Sequence, residues 1–327
     1  MGVIASAPAK VILFGEHFVV HGEPAIVMAI DERVYAETDH RDDKRIYMRS
    51  KNLSLSGYFE DDVFHAEQGK AREARLKFAP LKLAIDKVFE KHGEDVGLDI
   101  EITSAVPVAA GLGSSAAVVA AVIASASALL NVEMSRETVF RLSYEAEKIV
   151  HGTPSGVDPA ISTFGGTLLF QMDTGFKPLD VKVDVPLVIG YTGVKRSTRI
   201  QVTKVLDIKS KYPRVIEPMM RAARELVLMA IDALKNGDLL TLGELMNINH
   251  ALLYGLGVSD ESLEWLVNAA RKSGALGAKL TGAGGGGCMV ALARSERLQQ
   301  VLEAIRSAGG SPLIARKTDE GVKVEET

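Results

Sequence analysis

The segment from Pro107 to Val118 reads PVAAGLGSSAAV and constrains the fold of this chain more than any other stretch. An alanine-rich apolar run follows the paired serines and continues to Leu130. Its small side chains and its length predict a buried α-helix that begins at Ser114 or Ser115. A helix that starts just after a glycine turn directs unpaired N–H groups and the positive end of its dipole at one small volume.

A phosphate anion fits at the start of such a helix. Gly111 and Gly113 let the main chain approach the anion, because neither residue carries a Cβ. The hydroxyls of Ser114 and Ser115 are candidate ligands for a magnesium ion, which prefers oxygen. The segment therefore predicts a nucleotide phosphate site, with a simple glycine turn as the alternative.

Both glycine clusters of the chain also match dinucleotide-binding patterns. The segment Gly111–Ala116 contains G-x-G-x-x-A, and the segment Gly282–Gly287 contains G-x-G-x-x-G. In a Rossmann fold this motif closes the first strand of a βαβ unit and opens its helix. The second match leads instead into a strand-like run from Cys288 to Ala293, and the first lies a third of the way along the chain. Neither cluster continues as the Gly-Lys-Ser/Thr of a Walker A loop.

Composition and charge exclude several classes of protein. With 327 residues, 47% of them hydrophobic, the chain can bury a large core and is expected to form two domains. A net charge of −4 gives no reason to expect nucleic acid or an anionic membrane as a partner. The single cysteine, Cys288, excludes an internal disulfide and favours a cytoplasmic location. The apolar run from Ala116 to Leu130 is too short to span a bilayer, and no signal peptide is expected.

The pattern of elements changes in the middle of the chain. The pattern of the first half predicts short strands at its start. It predicts hairpins or loops over the polar stretch 39–68, and helices over 74–92, 115–130 and 134–150. After Gly175 the order becomes strand, long helices, two strands, helix and strand, which is typical of a ferredoxin-like unit with inserted helices. These patterns predict an α+β fold with two domains, 1–177 and 178–327. The strands expected first are Val3–Ser6, Lys10–Phe14, Ala25–Ala29 and Val34–Thr38.

Charged residues near glycines mark further candidate sites. Lys10 interrupts an apolar strand, where a charge needs a partner or a site, although an edge-strand lysine in solvent is an equal alternative. Glu16 and His17 follow Gly15 and are candidates for contact with a polar ligand.

The segment from Glu147 to Ala160 contains a helix end, a tight loop and the start of a new helix. Asp158 precedes a proline that suits the first helical position, so a helix cap is the alternative to a catalytic role. For Glu147 the alternative is a solvated helix face, and for His151 a cation at a helix C-terminus.

The loop between Lys279 and Cys288 has almost no side chains. Its residues Gly282, Ala283, Gly284 and Gly285 are expected to pack their backbone closely against a ligand or another loop. Cys288 is expected to be a buried apolar residue rather than a nucleophile.

Together these four segments closely resemble the GHMP small-molecule kinases. The strings KVILFGEHFVVHG, which starts at Lys10, and HGTPSGVD, which ends at Asp158, are similar to the branch of that family that phosphorylates mevalonate. The resemblance covers the whole chain. It implies an N-terminal α+β domain like that of a ribosomal protein, a ferredoxin-like C-terminal domain and an active site in the cleft between them. It also implies ATP and mevalonate as substrates and Mg²⁺ as the cofactor, and a homodimer is expected.

The resemblance also implies roles for residues at matching positions. Asp158 matches the base that accepts the hydroxyl proton, and Lys10 matches the lysine that contacts the reacting group and stabilises this aspartate as an anion. Ser115 and Glu147 match the magnesium ligands. The ATP-binding positions are Pro107, Ala109, Ala110, Gly111, Leu112, Gly113, Ser114, Ser115 and Ala116. The substrate-side positions are Lys10, Glu16, His17, His151, Asp158 and Thr198.

Three other functions remain open at this point. Another GHMP kinase, acting on phosphomevalonate, galactose or homoserine, would share the phosphate site and differ on the substrate side. A binding or regulatory protein on a kinase fold would be expected to lose the base or the metal ligands, whose matching residues are all present. A Rossmann oxidoreductase would bind NAD, but the context of the glycine motifs argues against it.

Overall fold

The computed structural model of the chain describes residues 2–105, 111–151, 155–194 and 197–326, without the side chains of 150 and 151. Within these residues, the first half has a large sheet and four α-helices. In chain order its elements are β1 (Val3–Phe14), β2 (Ala25–Arg41), β3 (Ile46–Ser50), β4 (Leu55–Glu60), β5 (Val63–Gln68), α1 (Ala71–His92), β6 (Gly97–Ser104), α2 (Ser114–Leu129), α3 (Arg136–His151), α4 (Val157–Phe164), β7 (Thr167–Gln171) and β8 (Gly175–Leu179).

The second half has a smaller sheet and five helices within the described residues. Its elements are β9 (Leu187–Tyr191), α5 (Thr198–Lys211), α6 (Pro213–Asn236), α7 (Leu239–Gly255), α8 (Glu261–Lys272), β10 (Gly277–Thr281), β11 (Cys288–Leu292), α9 (Leu298–Ser307), β12 (Ser311–Ala315) and β13 (Lys323–Val324). Across the described part of the chain, no helix has the length and apolar character needed to cross a membrane.

The large sheet is built around the two long strands β1 and β2. Its order is β13-β1-β2-β6-β3-β4-β5, and β7 pairs with both β2 and β8. All of these pairs are antiparallel except β3 with β6, which is parallel. The polar stretch that the sequence predicted as hairpins or loops forms the antiparallel run β3-β4-β5.

Strand β1 has an irregular register two residues before Lys10. Its pairing with β2 runs to Pro8 opposite Arg33 and resumes at Ala9 opposite Ile30, so β2 contributes two extra residues there. Proline cannot donate to the sheet and is common at such bulges, which redirect the side chains that follow them. The separate short strands expected on either side of this point are therefore continuous, and the bulge precedes the residue that enters the site.

Helix α2 is buried on all sides, as its alanine-rich sequence predicts. It packs against β1 and β2 on one side and against α1, α3 and α4 on the others. Its fully buried side chains Val122 and Ile123 each contribute about 1.5–3 kcal/mol to stability. Ser125 is buried as well and shares a hydrogen bond with Thr38, with 2.7 Å between the hydroxyl oxygens. Because so many contacts hold this helix, its N-terminus has a fixed position.

The second sheet confirms the expected ferredoxin-like unit. Its strand order is β10-β11-β9-β12, and each neighbouring pair is antiparallel. Helices α8 and α9 pack on this sheet, and α5, α6 and α7 are the insertion between β9 and the rest. The fold is thus α+β with two sheets, as expected.

The chain passes from the large sheet to the smaller one close to the predicted boundary at 177. Strand β8 pairs with β7 in the large sheet as far as Leu179, so the chain passes to the second unit between Leu179 and Leu187. After β12 the chain returns, and β13 pairs with β1. The guanidinium of Arg33 donates to the carbonyl oxygens of Glu320 and Gly321 and anchors this return. The C-terminal segment therefore pairs with the large sheet of the first unit, and the division into 1–177 and 178–327 stays a prediction.

Candidate active site

Lys10 and Asp158 form an ion pair between β1 and the start of α4. Lys10 Nζ lies 3.1 Å from Asp158 Oδ1. The lysine lies between Ala9 and Val11, which are fully buried, whereas 30% of the aspartate side chain is exposed. A buried ammonium is costly unless an opposite charge accompanies it. The pair therefore places a charge held inside the protein next to a carboxylate that a ligand can reach.

Asp158 is the second residue of α4 and is not its cap. The cap position is Gly156, whose φ of 80° lies in the left-handed region that favours glycine. A Cβ at Gly156 would come within 3.2 Å of ring carbons of Tyr144. A carboxylate in the first turn of a helix is also stabilised by the helix dipole. Asp158 is therefore not a helix cap, and its carboxylate pairs with Lys10 instead.

The start of α2 packs directly on Lys10. The backbone N–H of Lys10 donates to Leu112 O at 2.9 Å, which ties the glycine turn to β1. Gly113 is the cap of α2, with φ of 75°, and a Cβ there would lie 2.8 Å from Lys10 Cγ. Ser114 is half-buried and Ser115 is exposed at the helix start. Three predicted ATP-binding residues, Pro107, Ala109 and Ala110, lie outside the described residues.

The family resemblance implies that the start of α2 binds ATP, so we expect Gly113→Ala to weaken both stability and ATP use. Left-handed φ costs an L-residue about 1–2 kcal/mol, and the added methyl group also displaces the Lys10 side chain. Urea unfolding and the KM for ATP measure the two effects. Gly93→Ala is the matched control, because Gly93 has φ of 90° and nothing within 4 Å of its would-be Cβ. It should lose similar stability and keep its KM, and equal KM values in both variants would contradict this account of Gly113.

Glu147 on α3 is the second carboxylate of the site. Burial is the main cause that raises its pKa to about 8; the nearby Asp158 carboxylate raises it further, and Lys10 opposes the shift. Its Oε2 is buried and has no hydrogen-bond partner among the described residues. A buried carboxylate oxygen without a partner is costly, and a bound cation would offset that cost.

The donor set here fits a magnesium ion. Mg²⁺ is usually held by one or two carboxylates, with waters and phosphate oxygens completing its octahedron. Glu147 offers an oxygen with no partner, and Ser115 offers a hydroxyl at the exposed start of α2. Within the ranges that the structure describes, no group of three or more His, Cys, Asp or Glu side chains could hold a metal by itself.

Glu16 was expected to contact a ligand, and in the structure its carboxylate is held by protein groups. Its side chain is fully buried and forms an ion pair with Lys279, and its Oε2 accepts a hydrogen bond from Asn249 Nδ2 at 3.2 Å. Both carboxylate oxygens are therefore occupied by protein groups. The adjacent His17 is also buried, and its Nε2 lies 2.8 Å from Ala283 O, to which it donates. His17 thus connects the loop after β1 to the glycine loop.

The glycine loop packs against protein, which was one of its two predicted partners. Gly285 N–H donates to Val258 O at 2.7 Å. A Cβ at Gly284 would overlap the carbonyl of Val258, and one at Gly285 would overlap the amide of Gln201. These close approaches explain why so many loop positions lack a side chain.

The remaining predicted substrate residues are only partly described. Thr198 is the first residue of α5 and is exposed. The side chain of His151 lies outside the described residues. Cys288 is fully buried in β11, as expected.

Sequence reasoning missed Lys279 and Asn249. Lys279 interrupts the apolar strand β10 in the same way that Lys10 interrupts β1, so the same signal was present. Asn249 gave no signal, because an asparagine on a helix is usually a surface residue. Both are fully buried.

Two family models and several known proteins match this chain. The models are the GHMP kinases N terminal domain, over residues 79–166, and the GHMP kinases C terminal, over residues 230–311. The mevalonate kinase of Pyrococcus horikoshii is 44% identical over 99% of this chain and 98% of its own length. The mevalonate kinase of Thermococcus sibiricus is 44% identical over 100% and 99% of the two chains. A crystal structure of L. major mevalonate kinase in complex with R-mevalonate has a TM-score of 0.83 and 30% identity, with 97% of this chain and 96% of that chain covered.

Proposed function

This chain belongs to the GHMP kinase family, and we propose that it is a mevalonate kinase. The reaction transfers the terminal phosphoryl group of ATP to the 5-hydroxyl of (R)-mevalonate and yields 5-phosphomevalonate and ADP, a step of isoprenoid synthesis. Relatives with that name match the whole chain. The observation that carries the proposal is the 3.1 Å contact between Lys10 and Asp158 next to the start of α2.

Asp158 acts as the general base. The hydroxyl oxygen of mevalonate attacks the terminal phosphorus, its proton passes to the Asp158 carboxylate, and the bond between phosphorus and the ADP oxygen breaks. The 30% exposure of this side chain leaves it open to the hydroxyl. An alcohol is a poor nucleophile until it begins to lose its proton, so a carboxylate within hydrogen-bond reach accelerates the transfer.

Lys10 orients the base. Its ammonium forms the 3.1 Å ion pair with the Asp158 carboxylate, which holds the base in place beside the start of α2. The lysine is itself held by buried neighbours and by the hydrogen bond from its backbone to Leu112 O. Positioning of this kind provides much of the rate in phosphoryl transfer.

The start of α2 binds the phosphates of ATP. Its backbone N–H groups and the helix dipole favour negative charge, and Gly111 and Gly113 leave room for close approach. Ser115 and Glu147 would hold the Mg²⁺ that accompanies ATP. When bound there, Mg²⁺ neutralises charge on the phosphate oxygens.

A panel of acceptors tests the proposed function. The purified chain is given ATP and Mg²⁺ with mevalonate, phosphomevalonate, galactose or homoserine. We expect kcat/KM for mevalonate to exceed the others by at least about a hundredfold, because a site built for one set of polar groups rejects analogues that leave them unpaired. Activity only on another acceptor would contradict the choice of substrate, and ATP binding without turnover on any acceptor would support a binding protein. The proposal includes a homodimer in the cytoplasm.

A further inference from the structure

Glu16, Lys279 and Asn249 form a fully buried polar cluster where the two units meet. Glu16 lies in the loop after β1, Lys279 in β10 and Asn249 on α7, so the cluster joins both units. Lys279 Nζ contacts Glu16 Oε1 and donates to Leu280 O at 2.7 Å. Asn249 Nδ2 donates to Glu16 Oε2 at 3.2 Å. All three side chains are shielded from solvent.

Stability alone does not account for this cluster. Burial raises the pKa of Glu16 and lowers the pKa of Lys279, although each partner opposes the shift of the other. Removing two charges from water costs about as much as their attraction returns, so apolar side chains of similar size are often at least as stabilising. A charged pair that adds little net stability is more useful for fixing geometry.

The ion pair fixes the backbone conformation of His17, the residue next to Glu16. His17 has φ of 63°, a left-handed conformation that is strained for any residue with a Cβ. Its Nε2 lies 2.8 Å from Ala283 O in the glycine loop. Strain of this kind persists only where surrounding contacts hold the backbone. The buried Glu16, with both of its oxygens occupied, provides that hold.

A second contact joins β1 and β10 at a point nearer to Lys10. Thr281 Oγ1 donates to Ile12 O and accepts from Ile12 N–H, each at 3.0 Å. Ile12 lies two residues after Lys10 on β1. β1 and the loop that follows it are therefore joined to β10 at two places, through Ile12 before Gly15 and through Glu16 after it.

We propose that Lys279 and Asn249 are positioning residues for phosphoryl transfer. By fixing Glu16 they hold His17 against Ala283, and this contact sets the glycine loop and the second unit relative to the strand that carries Lys10. Neither residue reaches a ligand, because both side chains are fully buried. The inference rests on the proposed kinase function and extends it to residues behind the site.

The test is the double variant Glu16→Gln with Lys279→Met. It removes both charges while keeping the side chains similar in size, so it avoids the isolated buried charge that either single change leaves. We expect its melting temperature to stay within a few degrees of wild type. We expect kcat to fall at least about tenfold, because a misplacement of about 1 Å in the reacting groups can cost about a hundredfold in rate. The KM for ATP should change less than about threefold, because the start of α2 is not altered. Asn249→Ala should shift kcat in the same direction.

Arg224→Met is the matched control. Arg224 pairs with Glu23 at 2.6 Å, and this ion pair also links the segment after β1 to α6 in the second unit. Its loss should leave kcat within about twofold of wild type, because 48% of the Arg224 side chain is exposed and water can take its place beside Glu23.

Each outcome decides the inference. A stable double variant with wild-type kcat would overturn it, and so would failure of both the double variant and Asn249→Ala to fold, which would assign the cluster to stability. An equal fall of kcat in Arg224→Met would also overturn it, because any contact between the units would then suffice. Wild-type protein that does not phosphorylate mevalonate would instead contradict the proposed function, so the assay uses the acceptor on which the wild type is most active.

Discussion

Replacing Asp158 by alanine should lower kcat by about 10²–10⁴-fold, the range that general base catalysis contributes. The change removes the group that accepts the hydroxyl proton and leaves the mostly buried Lys10 ammonium without its partner. The start of α2 is untouched, so the affinity for ATP should remain within a few fold of wild type. Steady-state kinetics with mevalonate gives kcat, and titration with a fluorescent ATP analogue gives the affinity.

Two further variants separate loss of the base from loss of the fold. Asp158→Asn keeps the size of the side chain and should be nearly as slow, because an amide cannot take up the proton. Asp173→Asn removes an exposed carboxylate in the turn between β7 and β8 and should have wild-type kcat. Near-normal turnover in Asp158→Ala would exclude this residue from the mechanism.

Replacing Glu147 by glutamine should raise the Mg²⁺ concentration needed for half-maximal activity by at least about tenfold. Loss of a group that only supports a metal ligand already costs about 10–100-fold in affinity, and Glu147 is placed to bind the ion itself. Activity measured as a function of Mg²⁺ at saturating ATP gives this value. Glu145→Gln is the matched control, because Glu145 lies on the same helix and is exposed. Equal Mg²⁺ requirements in the two variants would contradict the assignment of Glu147.

The same substitution should change how the stability of the metal-free protein depends on pH. The pKa of Glu147 is raised to about 8 in the folded state, from an ordinary value of 4.5. Between these values the folded state holds a proton that the unfolded state releases, so the free energy of unfolding falls as pH rises through this window. Urea unfolding at pH 5, 6, 7 and 8 measures the slope. The slope should be shallower in Glu147→Gln, and an unchanged slope would show that other groups cause it.

The sequence predicted α2 and Lys10 well because each follows from a local rule. A run of small apolar residues has no polar face, so it must be buried, and α2 is buried on all sides. A lysine inside an apolar strand needs a partner, and Lys10 has Asp158. The identity of that partner, however, came from the resemblance to a family, since the two residues are far apart in the chain.

Other parts of the site depend on contacts that no local pattern contains. Glu16 was expected to face a ligand because it follows a glycine, but its ion-pair partner Lys279 lies 263 residues away. Lys279, like Lys10, is a lysine inside an apolar strand, which predicts a buried partner. It was missed because the glycine loop after it was interpreted instead. Burial of a charged residue next to a loop depends on the elements that fold over it.

The strand and domain boundaries also depend on contacts that are distant in sequence. The sequence predicted two separate strands, Val3–Ser6 and Lys10–Phe14, but the two parts are joined across an irregular register with β2. The return of the C-terminus to the first unit depends on the pairing of β13 with β1 and on the contacts of Arg33. A strand of two residues such as β13 is too short for its sequence pattern to predict this pairing.

In the proposed mechanism, Asp158, Lys10, Glu147 and the start of α2 face one reacting phosphoryl group. A crystal structure of this chain with (R)-mevalonate, Mg²⁺ and a nonhydrolysable ATP analogue tests it most directly. The 5-hydroxyl should lie about 2.6–3.2 Å from the Asp158 carboxylate, with the terminal phosphate between that hydroxyl and Ser115. A nucleotide bound away from Gly113 and Ser115, or a mevalonate whose hydroxyl points away from Asp158, would contradict the claim.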